Sequence, residues 1–202
     1  MSTRTLIALT LSALALFAPR SAHSATWEID PAHTSVQFAV RHMMVSNVRG
    51  EFTKVKGRIQ ADEANPTAAR IEASIETASV DTNNEKRDDH LRGPDFLDAA
   101  KFPTISFASK KVEKTGESTW KIIGDLTLHG VTREVVLDME GPTSPRKDPM
   151  GAIRSGAQAR TKINRQDFGI SFNKALDGGG LVVGNEVQIT IDVEVVRASE
   201  AR

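Results

Sequence analysis

Val187-Gln-Ile-Thr-Ile-Asp-Val-Glu-Val195 alternates apolar and polar side chains without a break. Successive residues of a strand point to opposite faces, so this stretch is a strand with one apolar and one wet face. The same period of two recurs along the chain. Val36, Phe38, Val40 and His42 oppose Ser35, Gln37, Ala39 and Arg41, and Ile71, Ala73 and Ile75 oppose Glu72, Ser74 and Glu76. Trp120, Ile122, Gly124, Leu126 and Leu128 share a third such face. Val48–Gln60, Thr104–Val112, Val131–Glu140 and Ile153–Ile163 are further candidates, divided by turn signals such as Asn65-Pro66, Thr115-Gly116 and Gly141-Pro142. About eight strands, each wet on one side, close most economically into an up-and-down antiparallel β-barrel, because closure leaves no exposed edge. A two-sheet sandwich satisfies the same alternation. Either way the fold class is all-β.

One stretch departs from this period. Thr82–Ala100 is polar and contains a short helical insertion predicted over Asn84–Leu91. A long insertion in a compact domain is usually functional or disordered. Leu91, Phe96 and Leu97 predict that this one docks, covering one barrel end or shaping its mouth.

The N-terminus reads as a secretory signal peptide, residues 1–24. Arg4 precedes an unbroken apolar and small run, Leu6–Ala18, and Ala22-His23-Ser24 offers a cleavage site before Ala25. The run falls short of the roughly 20 residues that span a bilayer. A soluble domain over 25–202 in the periplasm is therefore expected. Basic and acidic residues balance at 26 each, and losing Arg4 and Arg20 with the leader leaves a slight acidic excess. Interleaved charges of this kind provide no basic field for nucleic acid and no polybasic membrane patch. The chain has no Cys, which removes disulfides, thiolate catalysis, thiolate metal sites and a lipoprotein anchor.

The remaining chemistry is sparse. His33 and His42 are read within one strand, far apart and of opposite parity, so they do not share a metal. His90 and His129 have no close histidine partner, and no H-E-x-x-H occurs, so no metal site is expected. Asp88-Asp89-His90 lacks a nucleophile on a rigid turn and an oxyanion hole. These acids read as helix-capping, solvated charges. Gly179–Gly184 has phosphate-loop spacing but leads into a strand, and is read as a hairpin turn. No catalytic residue is assigned. The apolar faces mix Phe38, Phe52, Phe107 and Trp120 with Gly50, Ala73, Gly124, Ala157 and Ala159. Small inward residues either leave a cavity or let two sheets pack closely, and pattern does not choose.

Five ordered blocks resemble the YceI-like (polyisoprenoid-binding) family. They are Trp27–His42 with Val48–Phe52; Ala78–Asn83; Arg87–Phe107; Gly124–Thr132; and Ile163–Gly169. The resemblance covers almost the whole chain after the leader. It implies a lipocalin-like antiparallel barrel around an apolar tunnel that holds an isoprenoid chain, either a polyprenyl phosphate or a quinone tail. It also implies a periplasmic binding protein, with some relatives linked to acid or alkaline stress, and attaches no catalytic residues or cofactor. Asp148-Pro-Met150 departs from an expected aromatic, placing a flexible methionine at the tunnel wall.

On this reading Phe38, Val40, Phe52, Ile71, Ile75, Phe107, Trp120, Leu126 and Leu128 line the tunnel. His42 ends an inward face and is a candidate to bond a polar head group. Arg87, His90 and Arg92 are head-group candidates if the insertion borders the mouth. The partner is an amphiphilic lipid, with transient membrane contact and a homodimer left open. A lipid-modifying enzyme and a filled, stress-protective barrel without ligand are the alternatives.

Overall fold

The structure is a computed structural model that describes residues 24–198 apart from 63 and 178. The predicted leader lies outside the described residues except for Ser24. In chain order the strands are β1 (Ala25–Ile29), β2 (Ser35–His42), β3 (Ser46–Phe52), β4 (Val55–Asp62), β5 (Asn65–Glu76) and β6 (Val80–Asp81). Helix α1 (Glu85–Arg92) follows, then β7 (Thr104–Lys114), β8 (Thr119–Leu128), β9 (Val131–Glu140), β10 (Arg146–Lys147), β11 (Ile153–Asn164) and β12 (Val183–Arg197).

These strands form a closed barrel of eight antiparallel staves, each paired with its sequence neighbour. β1 and β2 lie end to end along one edge of β12, which pairs Ile29 with Val195 and Phe38 with Ile189. β3 and β4 extend the next stave in the same way, against β2 and β1. β5, β7, β8 and β9 follow in order, and an eleven-residue ladder between β11 and β12 completes the ring.

The stave predicted as Val48–Gln60 is broken at Thr53 and Lys54. Their amides donate to the Ser79 carbonyl and hydroxyl, so a 3-10 turn, Thr77–Ser79, replaces the ladder partner. The stave predicted to carry both His33 and His42 is also broken. Asp30 caps a turn by accepting from Ala32 N, Pro31 has no amide to offer a ladder, and His33 falls in that turn.

The seam between β9 and β11 is short. β9 and β11 are in register only from Gln158↔Glu140 to Arg160↔Asp138. Beyond that point a second 3-10 turn, Arg165–Phe168, substitutes for the ladder. Arg133 Nε donates to Asp167 O, His129 Nδ1 lies 3.2 Å from Phe168 O, and Phe168 is only 2 % exposed.

One barrel end carries the short β4–β5 and β7–β8 hairpins and the strap 141–152. The opposite end carries the β2–β3 turn, α1, the β8–β9 turn and the connection 169–182. α1 lies one residue beyond the predicted Asn84–Leu91, because Asn84 stays extended as its cap. Asn84 accepts from Arg87 N, Glu85 and Asp88 occupy the first turn, and Arg92 the last, in keeping with the helix dipole. Phe96 and Leu97 pack against the buried cluster of Ile105, Leu128, Ile163, Phe168 and Ile170, so the insertion docks over this end. Two expectations are corrected. Asp88 is buried rather than solvated, because it accepts from both the amide and hydroxyl of Thr82 and pins the helix to the preceding strand. Met150 is 94 % exposed on the strap and is no part of any wall; the neighbouring Asp148 binds Met150 N, Ala152 N and Arg154 instead.

Candidate functional site

A cavity of about 880 Å³ runs inside the barrel, near the top of the ~300–1,000 Å³ range of small-molecule sites. Every stave contributes to it through its inward parity. Phe38, Val40, His42, Phe52, Ile71, Ile75, Phe107, Trp120, Leu126 and Leu128 all lie on its wall. So do Ile189, Ile191, Val193 and Val195 of β12.

The burial of these residues separates a hollow barrel from a filled one. Phe38, Val40, Phe52, Ile71, Ile75, Phe107 and Leu126 point inward, yet are only half-buried. These side chains pack on their neighbours, as Phe38 does on Phe52, and still keep accessible surface, so they also border a space. The least exposed side chains, Phe168, Val80 and Thr77, lie at or near the helical end, where Val80 also reaches the wall.

Two of the small inward residues do not open that space. A Cβ on Gly50 would sit 2.6 Å from the Phe38 ring, and one on Gly124 would sit 2.6 Å from the Phe107 ring. Each glycine lets an aromatic ring come close to the backbone. The room comes from Ala73, Ala157 and Ala159, which do line the cavity.

Charged side chains on the wall gather at the ends, while Thr161 and Gln37 add uncharged polar groups between them. At the helical end Arg41, His42, Arg87, His90 and Arg165 reach the wall. Arg87 donates to the carbonyl and hydroxyl of Thr82, and Arg41 to Met44 O. Arg165 is 3 % exposed and donates to the carbonyls of Gly184, Ile170 and Val183 and to Asn185 Oδ1. Its burial pulls the guanidinium pKa down. Among the described residues none of these three arginines has a carboxylate within ion-pair distance. His90 lies 2.9 Å from Asp95 and packs edge-on against Phe96 and Phe172. Arg92 is not on the wall; it holds the carbonyls of Ala78 and Val80 and pairs with Asp89.

Parity did not signal two of these residues. Alternation points Arg41 outward, and it is exposed, yet it also reaches the wall at the end of β2, beside the bulge of β12 between Val183 and Val187. Arg165 lies just past β11 in a 3-10 turn, where the period of two stops.

At the hairpin end Pro142, Thr143 and Pro145 of the strap line the cavity, held by Ser155 Oγ to Thr143 O and Trp120 Nε1 to Gly141 O. Outside them Arg154 joins Asp30, Asp148 and Glu194 at 2.5–2.7 Å. Its guanidinium holds the carboxyls of Asp30 and Asp148 below the usual carboxylate range. Asp30, His33 and Glu194 also bring three potential metal-ligand atoms within 4.8 Å of one another, but Arg154 occupies the two carboxylates. The interior is thus an apolar tube with cationic groups at one end. Its chemistry suits an amphiphile whose tail lies along the axis and whose polar group meets the arginines.

Known proteins share this architecture. A family model described as a YceI-like domain matches residues 27–195. The chain belongs to the YceI-like family. A UPF0312 protein of Yersinia enterocolitica is 37% identical over 200 residues, covering 98% of this chain and 100% of that one. A UPF0312 protein of Yersinia pestis is also 37% identical, over 199 residues, covering 98% and 99%. Among solved structures, the Campylobacter jejuni YCEI protein is 31% identical with a TM-score of 0.62, covering 79% of this chain and 90% of that one. BcnA of Burkholderia cenocepacia is 22% identical with a TM-score of 0.70, covering 82% and 98%. A polyisoprenoid binding domain from Saccharophagus degradans is 15% identical with a TM-score of 0.63, covering 87% and 100%. The last two share the fold.

Proposed function

We propose that this YceI-like protein is a periplasmic carrier that shelters the tail of an isoprenoid-like lipid in its barrel and does no chemistry on it. The half-buried inward face around the cavity carries this reading. Support also comes from the secretory leader in the sequence and from the polyisoprenoid binding domain that has the same fold. Arg41, Arg87 and Arg165, which meet no carboxylate among the described residues, favour an anionic head group, a polyprenyl phosphate rather than a quinone.

The energetics suit reversible exchange. Burying one five-carbon isoprene unit from water gives roughly 3–4 kcal/mol at ~0.8 kcal/mol per CH₂. Several units would reach the roughly 18–21 kcal/mol at which non-covalent affinity saturates, so ordering the tail must offset much of the gain. The donor is a membrane in which the tail is already dry, and net transfer from it is close to zero. A carrier that loads and unloads needs that balance.

The test is a competition titration with geranylgeranyl phosphate, geranylgeraniol and a short-tailed quinone. The phosphate should bind about tenfold tighter than the alcohol, one charge-assisted contact's worth. Phe38→Asp should abolish uptake of all three. Equal affinity for phosphate and alcohol would remove the head-group assignment, and a chemically altered probe would favour the enzyme. A barrel that takes up none of them would be a structural protein.

A further inference from the structure

Met43, Met44 and Val45 close the turn between β2 and β3 and are 44 %, 55 % and 75 % exposed. Turns between strands normally use Gly, Asn or Asp here. The backbone sharpens the anomaly. Met43 has φ 48° and Met44 φ 61°, the left-handed region that non-glycine residues rarely enter and Asn tolerates best. The turn is nonetheless well fastened. Met43 N donates to Val182 O, Val45 N to His42 O, and Arg41 Nη2 to Met44 O. The fold holds three apolar side chains out in solvent at a fixed place.

The tip stands at the helical end of the cavity. Arg41, His42, Val48 and Val182, which flank the tip, line the helical end of the cavity. Charge near the tip is of one sign: Arg41, His42 and Arg49 lie within a few residues of it, and the hairpin's acidic residue, Glu51, sits at the far end of β3. Neither arginine is ion-paired among the described residues. An apolar tip flanked by these cations complements an anionic bilayer, where basic groups meet the surface and apolar side chains enter the head-group layer.

We propose that the β2–β3 tip is the surface by which this protein docks on an anionic lipid bilayer. The inference rests on the carrier reading for its purpose, since a tail that leaves the cavity's helical end directly into a bilayer never crosses water. It does not rest on that reading for its test. Purified protein is floated with vesicles of phosphatidylethanolamine, with and without a minority of phosphatidylglycerol. Wild type should float with the anionic vesicles and release as salt rises. The triple variant Met43→Asn, Met44→Asn, Val45→Ser places tolerant residues in the left-handed positions, so folding and thermal midpoint should hold. It should partition about tenfold less onto the vesicles. Its equilibrium binding of geranylgeranyl phosphate added from solution should not change.

Equal flotation of variant and wild type would overturn the proposal, as would a wild type that floats with neither vesicle. A tip-dependent dimer that leaves vesicles unbound would overturn it too, by assigning the tip to a second copy. Tip-dependent flotation without uptake of any prenyl probe would uphold the docking surface while removing the carrier.

Discussion

At Gly124 the barrel wall has no room for a side chain: a Cβ would meet Ala108 O at 2.5 Å and the Phe107 ring at 2.6 Å. Gly124→Ala must therefore push the ring off the backbone and into the cavity. We expect about 1–3 kcal/mol of destabilisation from this overpacking, measured by urea unfolding, together with weaker prenyl uptake. Arg165 gives a second residue-scale prediction. Arg165→Met leaves the carbonyls of Ile170 and Gly184 without this donor, while Val183 O keeps Asn173 Nδ2, and the loss should be about 2–3 kcal/mol by the same measurement. Lysine should not rescue it, because a single ammonium cannot reproduce the guanidinium fork. Much of the wall was readable at this scale, since strict alternation points Phe38, Ile71, Phe107 and Leu126 inward wherever the ladder is regular. Arg41 and Arg165 were not: Arg41 is an exposed residue at the strand's end that alternation points outward, and a helical turn ends the alternation before Arg165. Arg92 shows a different limit. Its place on the insertion was legible, but the backbone carbonyls that hold it were not.

Between elements, Arg154 fastens β11 to the β1–β2 turn through Asp30, to the strap through Asp148 and to β12 through Glu194. Asp30 and Asp148 both have folded-state pKa values depressed by this guanidinium. A depressed carboxylate contributes stability that is fully present above its unfolded value, about 4, and is lost as pH falls through the folded value. Thermal melts should therefore hold level from neutral pH to about pH 4 and drop below it. Arg154→Gln should melt lower at neutral pH and lose most of the acid-induced drop. A variant with an unchanged acid profile would show that the cluster does not set it. The insertion shows how far elements can be read ahead. Asn84 capping α1 and the docking of Phe96 and Leu97 follow from residue type and position. The burial of Asp88 does not, because it depends on Thr82 being folded back beside the helix.

Over the whole molecule, eight staves with apolar inward faces were legible, but a barrel and a two-sheet sandwich share that alternation. The β11–β12 ladder decides for closure. Whether the interior is filled depends on volumes summed across all staves, and no single stretch of sequence contains that sum. Here Ala73, Ala157 and Ala159 leave room while Gly50 and Gly124 are covered by rings, so residues of similar size play opposite parts. The resulting space of about 880 Å³ lies behind apolar walls with cations at one end. An emptied apolar space forfeits the contacts its lining would otherwise make, and an apolar guest restores them. The decisive measurement is native mass spectrometry of the protein purified without detergent. The account predicts a bound apolar mass of several hundred daltons, consistent with the cavity's volume, that Phe38→Asp removes. A bare polypeptide mass that stays bare after incubation with prenyl phosphates would contradict it.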